Sequence, residues 1–281
     1  MGKNKLSIYV LVVVGVLLVG AFSFWNYYNA TMITGQAIAP VPNGPNPKSG
    51  CMNNLVGYYD GSDAQDASGN GYHGTIFGDI ETVNGKVGQA YVFPGTADTY
   101  ISVPPEVLAG RDKFSLSFWL LTDDDSGGVV YASSYYLGTR KTELFTGLDG
   151  RFLRATWKDG GSRTFKWGTY THDWRHFIVT FNITDGKAEI RAYVNTKDQI
   201  SSKGKLMWTQ TAVSELIPAE IIVGQERDDA VVGAEEAWSK KALEDRLYKG
   251  RIDELAIFEG VLTSEEINYL WNNGEGKSPC N

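Results

Sequence analysis

From Leu55 onward the sequence alternates apolar and polar residues in short runs, and glycine, asparagine and aspartate interrupt the runs. Phe114–Leu120 alternates and then closes apolar, Ala188–Asn195 alternates throughout, and His176–Phe181 and Arg251–Phe258 are rich in β-branched and aromatic residues. A period of two sends successive side chains to opposite faces of an extended strand, one face buried and one wet. Short strands of this kind, separated by turn-formers, point to an all-β sandwich. Two segments break the pattern. Ala234–Leu247 has strong helix formers, a Glu236–Lys240 pair one turn apart, and Trp238, Ala242 and Leu247 toward one face. Thr263–Asn273 has Thr263 and Glu266 at capping-box spacing, Gly274 placed to end the helix, and Ile267, Leu270 and Trp271 placed to dock on the sandwich. One or two short surface helices are therefore expected.

The amino end follows another rule. Leu6–Trp25 carries no charge, and about 20 helical residues span the ~30 Å of a bilayer's hydrocarbon core. Lys3 and Lys5 precede the run, and no Lys or Arg follows until Lys48. That asymmetry places the N-terminus inside and the rest outside, and Trp25, Tyr27 and Tyr28 fit an interfacial belt. A cleaved signal peptide is the rival reading, with Ala21 and Ser23 before Phe24, but the run exceeds the usual apolar core of about 7–15 residues. Both readings put the remainder outside the cytoplasm. Pro40, Pro42, Pro45 and Pro47 make the following stretch an extended spacer. The expected organisation is a cytoplasmic stub at 1–5, a transmembrane helix at 6–25, a Pro/Gly/Asn-rich linker at 26–50 and a folded domain at 51–281. Asn29 and Asn182 both stand in glycosylation sequons.

The formal charge of −7 and the scattered basic residues leave no footprint for nucleic acid, which needs clustered Lys and Arg. No nucleotide motif occurs. The two cysteines, Cys51 and Cys280, stand at the ends of the expected domain. In an oxidising compartment they read as one disulfide joining the first strand to the C-terminus; two separate thiols are the alternative.

Five motifs then occur in order: Leu55–Asp60; Asp66–Gly74 with its Ser68-Gly69-Asn70-Gly71 turn; Gly85–Gly95; Trp174–Thr180; and Gly250–Phe258 followed by Leu262–Ile267. Together with Tyr100–Val103 they resemble the laminin-G-like domains of the concanavalin A-like lectin/glucanase superfamily, over about residues 55–273. The resemblance implies a jelly roll of two antiparallel sheets. The long segment Gln225–Lys249 departs from the family's usual short loop, so its helix reads as an addition.

Function must be argued from sites, since such folds host lectins, enzymes and adhesins alike. The superfamily's glucanases carry a Glu-x-Asp-x-x-Glu strand, which is absent here. Asp253 and Glu254 are neighbours on a strand, so they are expected on opposite faces and unfit as a glycosidase pair. No Gly-x-Ser-x-Gly occurs, and no catalytic residue is expected. His172, His176 and His73 read as structural. Asp60, Asp63 and Asp66 crowd one turn and Asp123–Asp125 another. Some laminin-G-like relatives bind calcium, which takes carboxylate and carbonyl oxygens; the resemblance makes Asp66 and Asp253 the candidate calcium ligands, with solvated Asx turns as the plain alternative. For carbohydrate, Tyr135, Tyr136, Trp157 and Trp167, with Trp208 behind them, are the candidate stacking residues, whereas Trp119 and Trp174 read as buried. The expected function is a membrane-anchored extracytoplasmic module that recognises a glycan or a cell-envelope protein without catalysis. A structural envelope subunit and a glycoside hydrolase are the alternatives.

Overall fold

The computed structural model describes residues 45–122, 128–137, 140–149, 152–157, 161–166, 173–184, 187–195, 205–211, 217–225 and 247–280, with backbone pairing alone for the strands within 128–166 and 205–220. The expected transmembrane helix at 6–25, most of the linker, residues 234–246 of the expected helix, Asp123–Asp125, Trp167, His172 and the Asn29 sequon lie outside these residues. Among the described residues no helix is long and apolar enough to cross a membrane. A boundary between two units falls at Asn43/Gly44, and the described elements belong to the second.

The strands are β1 (Leu55–Tyr59), β2 (Thr75–Phe77), β3 (Glu81–Asn84), β4 (Gln89–Pro94), β5 (Tyr100–Val103), β6 (Lys113–Thr122), β7 (Gly128–Leu137), β8 (Arg140–Asp149), β9 (Phe152–Trp157), β10 (Gly161–Lys166), β11 (Arg175–Thr184), β12 (Lys187–Asn195), β13 (Lys205–Thr211), β14 (Ile217–Val223) and β15 (Lys249–Glu259). One sheet of eight strands runs β13-β12-β11-β6-β15-β4-β3, with β1 also paired to β15; the other, of seven, runs β10-β9-β8-β7-β14-β5-β2. The pairs throughout are antiparallel. This is the expected all-β, two-sheet arrangement, consistent with a jelly roll.

The alternation seen in the sequence decides what each face does. Phe114, Leu116, Phe118 and Leu120 of β6 and Phe177, Val179 and Phe181 of β11 point inward, meeting Ile101 and Val103 of β5 and Ile221 and Val223 of β14 in the main core. Phe114 stacks on Phe181 at 4.4 Å and Phe118 on Phe177 at 5.6 Å between ring centroids. The opposite face of the eight-stranded sheet is covered as well. Tyr58, Ile178, Tyr193, Ala256 and Phe258 pack there under Leu262 and under Ile267 and Leu270 of helix α1 (Ser264–Trp271).

Helix α1 starts where the capping box predicts. The Glu266 N–H donates to Thr263 Oγ1 (3.2 Å), and the Thr263 N–H donates to Glu266 Oε2 (2.8 Å), so two orphan amides of the first turn are answered. The helix ends two residues earlier than expected, at Asn272, whose left-handed backbone (φ 47°) makes the cap. Beyond it the chain returns to Cys280, which is disulfide-bonded to Cys51 across a sequence separation of 229. The start of the unit is anchored too: the Asn46 N–H donates to Asn70 Oδ1 (2.9 Å) and the Lys48 N–H to the Ser68 carbonyl (2.8 Å).

Candidate functional site

Three places concentrate polar or aromatic chemistry: the turn at Asp66, the acidic pair on β15, and the edge of the seven-stranded sheet at β2.

Asp66 is buried, and backbone amides surround its carboxylate. Oδ1 accepts from the N–H groups of Tyr58 (2.9 Å) and Ser68 (2.9 Å), and Oδ2 accepts from Tyr72 N–H (3.0 Å). The Asp66 N–H donates to His73 Nδ1 (3.1 Å). Asn70 Nδ2 donates to the carbonyls of Leu55 (3.0 Å) and Val56 (2.9 Å). The turn is thus stitched to β1 by its own side chains. Asp60 and Asp63 serve nearby turns: Asp60 Oδ1 takes the Ser62 N–H and hydroxyl, and Asp63 Oδ1 takes the Gln65 N–H. These are the Asx turns of the plain alternative.

The pair on β15 differs from expectation. A register shift between Asp253 and Ala256 bulges the strand against β6, and Glu254 sits at φ 53°. A bulged residue in left-handed backbone breaks the two-residue alternation, so Asp253 and Glu254 do not diverge to opposite faces. Their charges act on each other. Asp253 Oδ2 accepts from the Lys86 N–H (2.6 Å) and Val87 N–H (2.9 Å) of the β3–β4 turn. Only glycine fits at position 85, where a Cβ would collide with that carboxylate. Glu254 Oε1 accepts from Tyr58 Oη (2.5 Å), and Tyr58 Oη lies 3.0 Å from Ser278 Oγ. Asp253 Oδ1 and Glu254 Oε2 are buried with no hydrogen-bond partner. Burial pushes the Asp253 carboxyl up to about 7, against the pull of the Val87, Lys86 and Glu254 amides, and Asp60 adds to the rise. Burial likewise pushes Glu254 up to about 8, against the Tyr58 hydrogen bond and with help from Asp253 and Asp60. The Tyr58 hydroxyl is held far above its usual range by burial and then by Glu254. Both carboxyl groups are sealed, at 0% and 5% exposure.

Beside this pair, Trp119, His176 and Trp271 of α1 form a mutually stacked trio, with Trp119 4.9 Å from His176 and 5.2 Å from Trp271, His176 6.2 Å from Trp271, and Lys86 Nζ 5.4 Å from the Trp119 ring centre. His176 Nε2 lies 2.8 Å from Ser117 Oγ, and burial pushes its ring down to about 3. This histidine is a neutral packing element, as is the buried Trp119; Trp174 is only half-buried.

The edge at β2 is exposed throughout. Phe77 is paired in register with Tyr100, and their rings stack at 4.5 Å and 11°. Tyr100 is buried, whereas Phe77 is 41% exposed.

The expected ligand residues do not form one cluster. Asp66 and Asp253 answer different sets of backbone amides. Among the described residues no three Asp, Glu, His or Cys side chains are grouped to hold a metal ion. Tyr135 and Tyr136 are successive residues of β7, paired with Thr142 and Lys141 of β8. Trp157 ends β9 opposite Gly161, and Trp208 lies in β13 opposite Ile190. Sequence reasoning passed over Phe77, because Thr75-Ile76-Phe77 reads as any short strand and its place at the end of the sheet follows from strand order alone.

With this geometry in hand, similarity to known proteins narrows the reading. A laminin-G family model, described as Concanavalin A-like lectin/glucanases superfamily, matches residues 94–268. No curated protein matches closely enough to serve as a relative. Among solved structures, the binding domain of Paraclostridial Mosquitocidal Protein 1 is 16% identical with a TM-score of 0.50, covering 79% of this chain and 52% of that one. Domain 4 of AbnA, a GH43 extracellular arabinanase from Geobacillus stearothermophilus in complex with arabinotriose, is 20% identical at 0.49, covering 79% and 98%. The binding domain of Botulinum Neurotoxin DC in complex with SialylT is 14% identical at 0.49, covering 78% and 51%. The chain spans about half the length of these toxin domains.

Proposed function

Because the chain belongs to the laminin-G-like family of the concanavalin A-like lectin/glucanase superfamily, we propose that its sandwich is a glycan-binding module, held outside the cytoplasm by residues 6–25, that does no chemistry on what it holds. The observation that carries the non-catalytic part is the burial of the acidic pair. Asp253 and Glu254 have raised affinities for protons, as a general acid needs, yet they are sealed beneath the β3–β4 turn and Tyr58. A glycosidase needs two carboxyls flanking a bond that substrate can reach. These two shape the fold instead. The binding part is supported by the family and by an exposed aromatic ring on β2, the last strand of its sheet among the described residues, whose partner sheet is capped by α1. Tethering would favour such a module, since a high local concentration lets weak contacts add.

The test uses the full-length chain in detergent, probed on an array of neutral, amino and acidic glycans and then by calorimetry and thermal melting. Saturating saccharide at about 100 times its Kd should stabilise the fold by about 2.7 kcal/mol, and the saccharide should be recovered uncut. A folded protein that binds no glycan would sink the reading, and cleavage of a bound oligosaccharide would replace it with the hydrolase alternative.

A further inference from the structure

We propose that the open face of Phe77 is a sugar-stacking subsite that takes a neutral or amino sugar and disfavours an acidic one; this rests on the glycan-binding reading above. Phe77 closes β2, which ends the seven-stranded sheet among the described residues. One face of its ring lies flat on the buried Tyr100. The other meets solvent, so water lies against an aromatic face that is already fixed in place. The chain after the ring is fixed as well. Gly78 has φ +67°, and a Cβ there would come within 2.6 Å of both the Asp98 carbonyl and Thr99 Oγ1. Thr99 Oγ1 in turn lies 2.7 Å from Thr96 Oγ1. Little freedom is left to lose on binding, which favours affinity.

Size and charge select the occupant. Among the described residues the exposed large apolar side chains are Ile76, Phe77 and Val261, and Ile76, next to Phe77 on a strand, takes the other face. Among the described residues the exposed apolar patch on this face is therefore one ring wide. A specific protein interface needs roughly 1,000 Å² or more, so a second protein is the poorer fit. The C–H face of a pyranose matches the patch in area, and its weakly positive C–H groups suit the negative face of an aromatic ring. Asp79, Thr96 and Asp98 are exposed, Asp79 following Gly78 directly and the Asp98 carbonyl bordering Gly78, and carboxylates accept hydrogen bonds from sugar hydroxyls. Within residues 71–103 the one lysine, Lys86, holds its ammonium over Trp119. Among the described residues, the charged side chains that the chain sets next to the ring, Asp79 and Asp98, are acidic. They favour a neutral or cationic sugar and repel a sialic or uronic acid.

The experiment measures calorimetric Kd for the full-length chain and its Phe77→Ala, Phe77→Trp and Asp98→Asn variants against the neutral or amino glycan that binds best, with thermal melting to confirm the fold of each. Phe77→Ala should weaken binding about tenfold while leaving the melting temperature near wild type, and Phe77→Trp should improve affinity. Asp98→Asn should relax the bias against acidic glycans. Should Phe77→Ala melt early, Phe77→Trp against wild type still decides, because a larger ring that changes nothing means that the ring is not in contact. Glycan binding that ignores both variants overturns this subsite and leaves the general reading standing. A wild-type preference for acidic glycans overturns the selectivity, and a wild type that binds no glycan overturns both.

Discussion

Glu254 sits in a strand yet has left-handed backbone (φ 53°), a conformation that costs a non-glycine residue of order 1 kcal/mol or more. The neighbouring contacts hold it there: the Tyr58 hydroxyl binds its carboxyl, and Asp253 receives the amides of the β3–β4 turn. The run Ile252-Asp253-Glu254-Leu255 sets two polar residues side by side between two core residues, a local break in the period of two that falls where β15 bulges against β6. The raised carboxyls make a pH prediction. Unfolded carboxyls titrate near 4, whereas these titrate at about 7 and about 8 in the fold. The folded state therefore holds extra protons between those limits, and stability present below about pH 4 is lost as pH rises through the folded values. His176 has the opposite sign: folded at about 3 and near 6.5 unfolded, it withdraws stability as pH falls below about 6.5. From pH 6.5 to 9 the carboxyls act alone. The melting temperature should fall across that window, and Glu254→Gln should flatten the fall. A wild-type profile that stays level in scans at several pH values would mean that the pair ionises without penalty.

At the level of elements, legibility tracked local signals. The capping box placed the start of α1 because its chemistry is complete within four residues, and period two placed β6, β11, β12 and β15 because each buries one face continuously. The strands from β7 to β10 went unread. Runs such as Arg140–Asp149 mix charge, threonine and glycine, and what holds them is pairing with neighbours, which strand propensity alone does not reveal. The candidate stacking residues fared similarly. Tyrosines and tryptophans were legible as types, but which ring lies at an edge is a property of strand order, and that order is set over the whole chain. Helix α1 offers the element-scale test. Thr263→Ala removes the acceptor of the Glu266 N–H and should cost about 1 kcal/mol, seen as a lower denaturation midpoint at unchanged slope. A shift within error would mean that packing of Ile267, Leu270 and Trp271 alone fixes the helix start.

The whole unit is closed by the bond between Cys51 and Cys280, which the ends of the expected domain made legible before any coordinate. Crosslinking across 229 residues restricts the unfolded chain by about 5 kcal/mol in the chain-entropy model. Cys51→Ser, or reduction of the native protein, should therefore lower stability by several kcal/mol in denaturant titrations while leaving the strand pairing intact. An equal midpoint with and without reductant would show that the bond is absent or ineffective.

The same bond governs how the unit bears load. A pull arriving through the residues before Cys51 would, without the crosslink, enter β1 and the Ser68–Asn70 turn to which Asn46 and Lys48 are bonded, and peel β1 from β15. With the crosslink the tension divides. One share runs into β1 at Leu55, and the other runs back through the C-terminal tail and α1 into the far end of β15. Leu55 is paired with Phe258, so both shares enter the same end of one antiparallel ladder. The two strands are drawn together in one direction, and the hydrogen bonds between them carry little of the strain.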